Sequence, residues 1–384
     1  MLTTATGREA LEGLASVDTI YVADKHAFDS PTGLLSRQLG AVVPLLWRLR
    51  RRRYDQLLLL HHLTTPFGRI KYRLLAEQIG AKQTLGLDNA HGGFLDEAVP
   101  DDGFGARHEV DYALAVAALA GAGMPSDPRL EIAVDSAAEA PAAELLAGSH
   151  AATPATELLA GSQARAVTSG SDVARQGPLA DPAMDPGSDA GTGPFIALHA
   201  GGGAYSLARR WPPEAFAAVG RALAERTGAR LAILGSDVDR EPSDELARLL
   251  HGQAINLVGR TTVKETAAAL RRCELLVSND SGVVHLAAAV GTPVVAVFGP
   301  SNDLAWGPYP PAEHRVVRVS LPCSPCFYRG KSLGRPEGCA TRDCLQLVTP
   351  EMVIAAATEL LDERAGGHAK PRRTRVRGKA LASA

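Results

Sequence analysis

The C-terminal half of the sequence alternates short apolar runs with longer segments of helical periodicity. The apolar runs, from Pro194 onward, are PFIALHA, RLAILG, ELLVSND and PVVAVFG. Short buried strands separated by helices predict right-handed βαβ crossovers, and successive crossovers of one hand build a parallel, doubly wound sheet. Residues 193–363 are therefore predicted to form a Rossmann-like α/β domain.

A similar alternation occurs earlier in the chain. Residues 19–23 and 56–60 have the pattern of strands, and residues 34–50 and 68–79 have that of helices. Because a chain of 384 residues exceeds what one core usually organises, two domains are expected. Residues 1–125 are assigned to the N-terminal domain.

Two segments differ from these domains in composition. Residues 126–192 are rich in Ala, Pro, Ser, Gly and Asp and contain ELLAGS twice, at 144–149 and 157–162, which predicts a flexible linker in which the two copies could form short helices. Residues 364–384 are basic and show no helical pattern. This tail is expected to be disordered, with weak attraction to anionic lipid as the alternative.

Charge and hydropathy limit the partners and the location. The net charge of −2 gives no indication of nucleic-acid binding. The N-terminal sequence MLTTATGREALEG lacks the apolar core of a secretory signal, and no apolar window is long enough to cross a bilayer. We therefore expect a cytoplasmic protein, with at most peripheral contact with the inner membrane.

The first candidate site is Asp280-Ser281-Gly282, where the strand ELLVSND ends and a helix begins. Open α/β sheets bind ligands at the carboxyl ends of their strands, and the free amides of a helix's first turn attract phosphate. His285 lies one turn along from Ser281, where it could reach a diphosphate. A capped helix with a core histidine is the alternative explanation.

A glycine-rich loop after the strand PFIAL supplies the second candidate. Gly201, Gly202 and Gly203 leave the backbone free to wrap a ligand, and Arg209 or Arg210 follows at a position where a cation could meet a phosphate. Three glycines alone more often form an ordinary loop. Both motifs follow strands of one domain, so they are expected to converge on one crevice.

These two motifs resemble those of glycosyltransferase family 9, typified by the ADP-heptose:lipopolysaccharide heptosyltransferases. SNDSGVVHLAAAVGTPVVAVFGPSN is similar to the family pattern D-[ST]-G-x-x-H-x-A-A-x-x-x-P-x-x-x-x-F-G-x-[TS], and ARRWPPEAF is similar to K-R-W-P-x-E-x-[FW]. VDTIYVAD and RHEVDYALAVAALAG add less specific likeness. The resemblance covers nearly the whole chain apart from the linker.

The resemblance implies a GT-B fold, in which two Rossmann-like domains face each other across a cleft. It implies an inverting, metal-independent transfer of a heptose-type sugar from an ADP-sugar to a lipopolysaccharide-core or other saccharide acceptor, without a cofactor. Arg209 stands where the family has a phosphate-neutralising lysine, and Thr261 would lie near the nucleotide base. The remaining donor-binding residues that it implies are Asp280, Ser281, Gly282, His285, Gly201 and Gly202.

One family element has no counterpart in this sequence. Family members open with a strand and a loop R-x-G-D-x-x-x-x-x-P, whose aspartate resembles a general base, whereas this chain opens on what resembles the family's second strand and helix. The catalytic residue is therefore left unassigned, because turns or caps account better for Asp18, Asp24 and Asp55. Either the start was placed too far downstream, or the chain is a nucleotide-sugar-binding protein without transfer activity. A nucleotide-sugar epimerase on the same fold is the third alternative.

Four of the five cysteines lie close together in the sequence, at Cys323, Cys326, Cys339 and Cys344. Their spacing suits a structural Cys₄ zinc site, although the second pair has four intervening residues rather than the more usual two. Reduced thiols or a disulfide are the alternatives, and a catalytic metal is not expected.

Overall fold

The computed structural model describes residues 1–23, 39–148, 193–203, 205–310, 312–366 and 373–378. At 39–41 and 373–378 only the backbone is described. Asp24, the second ELLAGS copy and the start of the helix predicted at 34–50 lie outside the described residues.

The C-terminal domain is built on a seven-stranded parallel sheet. Its strands are β6 (Phe195–His199), β7 (Arg230–Ile233), β8 (Ala254–Asn256), β9 (Cys273–Asn279), β10 (Val294–Val297), β11 (His314–Val319) and β12 (Arg373–Gly378). Their spatial order is β12-β11-β10-β9-β6-β7-β8, with parallel pairing throughout. This is the order of a doubly wound fold, and the strands predicted at PFIALHA, RLAILG, ELLVSND and PVVAVFG are all confirmed.

Eight described helices belong to this domain: α5 (Ser136–Ala147), α6 (Pro213–Thr227), α7 (Arg240–Leu249), α8 (Val263–Arg271), α9 (Gly282–Val290), α10 (Asp303–Trp306), α11 (Asp343–Gln346) and α12 (Pro350–Ala365). One core contains Phe216 and Leu223 of α6 with residues of α7 and α12, and the other contains Leu270 of α8 with residues of α5 and α9. Apolar layers therefore cover both faces of the sheet, as its continuous apolar strands require.

Helix boundaries follow from local chemistry. The first turn of α6 contains Pro213, where a missing backbone N–H costs nothing, and Gly228 ends the helix in the left-handed conformation. At α8, Thr262 accepts a hydrogen bond from the amide of Glu265, whose carboxylate in turn accepts one from the amide of Thr262. This reciprocal cap fixes the end of the loop that carries Thr261.

The N-terminal domain is smaller. A three-stranded parallel sheet contains β3 (Gln56–Leu59), β4 (Gln83–Asp88) and β5 (Glu97–Pro100), in that spatial order. The helices are α2 (Leu39–Arg51), α3 (Pro66–Ile79) and α4 (Glu109–Leu119), and α4 packs on Leu85, Leu87 and Val99 of the sheet. A separate parallel pair, β1 (Leu2–Thr3) and β2 (Tyr21–Val22), flanks the short helix α1 (Ala5–Leu11).

Two predicted segments differ from the structure. The prediction of a linker from residue 126 is wrong for α5, because Ala138, Ala142 and Leu146 are buried in the C-terminal core. Asp135 caps this helix and Gly148 ends it, and residues 144–147 of the first ELLAGS copy lie in its last turn. The prediction that the tail lacks regular structure is wrong for β12, whose RTRVRG backbone pairs with β11. Its alternation of basic residues with Thr and Val is the period of a strand.

The helices within the described ranges are all too short or too polar to cross a lipid bilayer.

Candidate donor-side site and the facing N-terminal cluster

The candidate site lies at the carboxyl edge of the seven-stranded sheet. From β6 the chain winds outward through β7 and β8, then returns to the other side of β6 as β9. The loops after β6 and β9 therefore diverge at the point where the winding direction reverses, and a crevice opens there. This crevice is where open α/β sheets bind their ligands.

Asn279, the last residue of β9, joins the two sides of the crevice. Its buried side-chain amide donates to the carbonyls of Ala200 at 2.8 Å and Gly201 at 2.9 Å, and its Oδ1 accepts from the amide of Trp211 at 3.0 Å. The glycine loop is thus fixed to the end of β9 at both of its ends. In the sequence, Asn279 is only the asparagine of SNDSG. Nothing near it predicts hydrogen bonds to residues 68 to 79 positions away.

Arg209 and Asp280 meet across the crevice. The Arg209 Nη1 lies 3.3 Å from the Asp280 Oδ2, and its Nη2 donates to the carbonyl of Gly202 at 2.7 Å. Both side chains are largely buried, and the Arg209 Nε is buried with no hydrogen-bond partner in the part of the chain that the structure describes. The two motifs predicted to converge therefore do so, and they place a guanidinium at the crevice.

The start of α9 presents open backbone amides. Ser281 is its N-cap residue, yet its side chain makes no capping hydrogen bond and lies 3.4 Å from the Ser278 hydroxyl instead. The exposed Gly282 has open space where a Cβ would be, so a ligand can approach the first turn without obstruction. The positive end of the helix dipole favours an anion here.

His285 lies one turn along α9. Burial lowers its pKa, and the opposing effect of the nearby Asp280 carboxylate is smaller. The imidazole is therefore neutral at physiological pH and could accept or donate a hydrogen bond without adding charge to the site.

Gly201 and Gly202 pack against the Asp239 side chain and do not line an open ligand pocket on that side. The amides of Gly202 and Gly203 donate to the Asp239 Oδ1 at 3.1 and 3.0 Å, and a Cβ on Gly201 would collide with that carboxylate. Burial alone would raise the pKa of Asp239, but His199 and the hydrogen bonds from Ser236 and Gly203 hold it below its ordinary value. Gly201 is required by this close approach, whereas a Cβ on Gly202 would come no nearer than 3.3 Å to Arg210.

Thr261 lies apart from the other predicted residues. It follows β8, the edge strand, and its hydroxyl lies 2.8 Å from that of Thr266. With strands spaced about 4.8 Å apart, β8 is roughly 10 Å from β6. Thr261 shares the carboxyl edge with Asp280 but is not brought into contact with it.

A second polar cluster lies at the carboxyl edge of the N-terminal sheet. His62 follows β3, Asp101 follows β5, and Glu109 opens α4. The His62 Nδ1 lies 2.8 Å from the Asp101 Oδ1, and its Nε2 lies 3.0 Å from the Glu109 Oε2. Sequence reasoning missed this cluster. Of the carboxylates it did consider, Asp55 pairs with Lys82 at the exposed start of β3.

The two sheet edges face each other through direct contacts. The amide of Phe104 donates to the carbonyl of Gly330 at 2.6 Å, the His108 Nε2 lies 2.9 Å from the carbonyl oxygen of Gly307, and the Tyr309 hydroxyl donates to Asp111 at 2.7 Å. His108, from the RHEVDY motif, also accepts from the amide of Val110 and so caps α4.

Aromatic rings connect the two polar groups. Phe104 contacts His62 and Tyr328 with ring centroids 4.4 and 5.2 Å away, and Tyr328 stacks on Tyr205 at 6.3 Å. The Arg209 guanidinium lies 5.7 Å from the Tyr205 ring. Burial and a hydrogen bond with Tyr205 raise the pKa of Tyr328, so its hydroxyl stays protonated. One cleft therefore contains both groups.

The four clustered cysteines have free thiols. Cys344 is buried and the other three are exposed. Within the described ranges, no three His, Cys, Asp or Glu side chains are arranged to hold a metal ion. Structural zinc was one of the alternatives that the spacing left open, and in the described residues the four thiols do not adopt the geometry of a metal site.

Two Rossmann-like domains that face each other across a cleft define the GT-B class of fold. The model of glycosyltransferase family 9 (heptosyltransferase) matches residues 43–336, and the chain belongs to this family.

Curated relatives carry heptosyltransferase names. The chain is 30% identical over 164 residues to lipooligosaccharide heptosyltransferase 2 of Campylobacter jejuni, a match that covers 42% of this chain and 49% of that protein. It is 33% identical over 125 residues to lipopolysaccharide heptosyltransferase 2 of Escherichia coli K12, covering 31% of this chain and 34% of that protein. The chain spans about half the length, or less, of the curated relatives it matches.

Solved structures confirm the GT-B fold over nearly the whole chain. A glycosyl transferase family 9 protein from Veillonella parvula superposes with a TM-score of 0.64 at 22% identity, covering 94% of this chain and 87% of that one. E. coli ADP-heptose lps heptosyltransferase II gives a TM-score of 0.59 at 19% identity, covering 95% and 89%.

Proposed function

We propose that this protein transfers a heptose-type sugar from an ADP-sugar donor to a lipopolysaccharide-core or related saccharide acceptor, with inversion and without a metal ion. The heptosyltransferase names of the relatives support the reaction class. The E. coli heptosyltransferase WaaC, solved with ADP and with ADP-2-deoxy-2-fluoro heptose, supports the donor class. The cytoplasm, at the inner membrane, is the proposed location.

The observation that carries the proposal is the junction of Arg209 and Asp280 beside the open first turn of α9. A diphosphate over this terminus would accept hydrogen bonds from the free amides and from the guanidinium. Both interactions strengthen as the sugar–phosphate bond breaks and charge develops on the leaving diphosphate, so they favour the transition state over the bound donor. Arg209 and the helix terminus thereby supply the positive charge that a divalent cation supplies in other transferases.

Asp280 and His285 would have different roles. Asp280 holds Arg209 in the crevice and has a second oxygen that could accept a hydrogen bond from a donor sugar hydroxyl. The neutral His285 would donate a hydrogen bond to the diphosphate without adding charge. An acceptor hydroxyl entering from the N-terminal side would then attack the anomeric carbon opposite the diphosphate, which gives inversion.

Calorimetric titration of the full chain with ADP, UDP and GDP tests the donor site. Arg209→Gln should weaken ADP binding roughly 30-fold, because a charge-assisted hydrogen bond contributes about 2 kcal/mol. Arg210→Gln is the matched control, since Arg210 donates to the carbonyl of Val238 and lies 3.9 Å from Asp239 and 3.6 Å from Glu241, whereas Arg209 pairs with Asp280. It should change the affinity less than 3-fold.

Well-folded protein that binds none of the nucleotides, or equal losses in the two variants, would refute the donor-site assignment. Incubation with ADP-heptose and a lipopolysaccharide core oligosaccharide then separates the alternatives. A transferase releases ADP in step with glycosylated product, an epimerase releases none, and a binding protein turns nothing over.

A further inference from the structure

Asn279 uses both ends of its side-chain amide on one loop of the donor-side crevice. It is the last residue of β9 and is completely buried. Its nitrogen donates to the carbonyls of Ala200 at 2.8 Å and Gly201 at 2.9 Å, and its Oδ1 accepts from the amide of Trp211 at 3.0 Å. A carboxylate of the same shape has no N–H to donate, so asparagine is matched to two carbonyls and one amide.

Arg209 lies within the loop that Asn279 fixes. Two residues further on, Trp211 is held by its backbone amide and also by its buried indole, whose Nε1 donates to the carbonyl of Val348 at 2.9 Å. On the other side, the Arg209 Nη2 donates to the carbonyl of Gly202 at 2.7 Å, next to a carbonyl that Asn279 binds. The backbone and the guanidinium of Arg209 are therefore both adjacent to points that Asn279 fixes.

The carboxylate that faces Arg209 is also tied to Asn279. Asp280 is the next residue of the chain, and its amide donates to the carbonyl of Val297 on β10 at 3.2 Å, which fixes this position to the sheet. The Asp280 Oδ2 lies 3.3 Å from the Arg209 Nη1. One asparagine thus sets where the guanidinium lies relative to β9 and to the first turn of α9.

Removal of the Asn279 amide would take a hydrogen-bond partner from three buried backbone groups. These groups are the carbonyls of Ala200 and Gly201 and the amide of Trp211. Because a buried polar group without a partner is costly, the loop would shift or take up water. A guanidinium binds phosphate through N–H groups of fixed direction, so a shift of the loop would weaken that interaction.

We propose that Asn279 is a positioning residue of the donor site, which fixes the loop of residues 200–211 to β9 so that Arg209 is held beside the first turn of α9 before the donor binds. This inference rests on the proposed function, in which Arg209 and α9 bind the diphosphate. Because the loop is already fixed, ordering it does not reduce the affinity when the donor arrives. Asn279 acts through Arg209 and needs no contact with the donor.

A double-mutant cycle with Arg209 tests the proposal by calorimetric titration of the full chain with ADP. Asn279→Ala should weaken ADP binding roughly 10-fold in the wild-type background, less than the roughly 30-fold loss expected when the guanidinium itself is removed. In the Arg209→Gln background the same change should weaken ADP binding less than about 3-fold, because the group that Asn279 positions is then absent.

Thr292→Val is the matched control for a purely structural effect. Thr292 is also buried, and its hydroxyl donates to the carbonyl of Leu270 at 2.7 Å, but it precedes β10 and so lies at the opposite edge of the sheet. This variant and Asn279→Ala should both lower the urea midpoint of unfolding, because each loses a buried hydrogen bond. Only Asn279→Ala should change the ADP affinity by more than about 3-fold.

Asn279→Ser covers the case in which the alanine variant does not fold. Its hydroxyl can bind a water that bridges to the loop, so its ADP affinity should fall between those of the wild type and Asn279→Ala, again only when Arg209 is present.

An ADP affinity that the Asn279 variants leave unchanged would overturn the proposal, because the loop would then hold Arg209 without the asparagine. Equal losses in the wild-type and Arg209→Gln backgrounds would also overturn it, since Asn279 would not act through Arg209. The same conclusion follows if Thr292→Val weakens ADP binding as much as Asn279→Ala does. Wild-type protein that binds no nucleotide would instead overturn the proposed function itself.

Discussion

The imidazolium of His62 couples the stability of this protein to pH. In the unfolded chain its pKa is the ordinary 6.5, whereas in the folded chain Asp101 and Glu109 raise it to about 9. Below pH 6.5 both states bind the proton and the ion pairs contribute fully. Between pH 6.5 and 9 only the folded state keeps it, so stability falls as pH rises, and above pH 9 the contribution is lost.

The size of the effect follows from the two pKa values. They differ by about 2.5 pH units, and each unit corresponds to 1.36 kcal/mol, which gives about 3 kcal/mol. Because the His62 side chain is only 6% exposed, solvent screening reduces this figure little. About 3 kcal/mol is a large part of the 5–15 kcal/mol by which domains are usually stable.

The assay is urea unfolding of the wild type and His62→Gln at pH 6 and pH 9.5, followed by far-UV circular dichroism. Other titrating groups are common to both proteins and cancel in the difference. We expect the gap in unfolding free energy to be about 3 kcal/mol smaller at pH 9.5 than at pH 6. His61→Gln, whose ring stacks on Tyr72 instead, should show no such convergence. A gap that stays constant within 0.5 kcal/mol would refute the reasoning.

Two further substitutions separate binding from stability in the glycine residues of the candidate site. Gly282→Ala should change the unfolding free energy by no more than about 0.5 kcal/mol, because a Cβ meets no described atom there. The added methyl group would cover the first turn of α9, so the ADP affinity measured by calorimetry should fall several-fold. Unchanged affinity would mean that no anion approaches this turn. Gly201→Ala should lower the unfolding free energy measured in urea by about 1–3 kcal/mol, because its Cβ would collide with Asp239. Gly203→Ala is the control: a Cβ there meets no described atom, so any loss comes only from the positive φ of Gly203. Equal losses at the two positions would contradict the packing explanation.

The fold of the C-terminal domain could be predicted because each of its strands is marked by a short apolar run in the sequence. Buried parallel strands such as ELLVSND are continuous apolar runs, and the residues at their ends converge wherever the strands lie side by side. Asp280 and Arg209 were found in this way. Thr261 was predicted from a family position alone, and the edge location of β8 separates it from them.

What could not be predicted depends on contacts between distant residues. His62 and Glu109 are 47 residues apart in the sequence, and no spacing rule relates them. The error at α5 had a different origin, because alanines that pack closely against a neighbouring helix have the same composition as a flexible linker. The caps Asp135 and Gly148 were the local signals that could have corrected it.

In the glycine loop, the Asp239 carboxylate accepts the backbone hydrogen bonds that a phosphate would otherwise accept. It already occupies the two amides, Gly202 and Gly203, that would otherwise make this loop attractive to an incoming anion. A diphosphate would have to displace a fixed negative charge to bind there, whereas the first turn of α9 presents no such competitor. If α9 receives the diphosphate as proposed, this glycine-rich loop would contribute by excluding a second anion rather than by binding one.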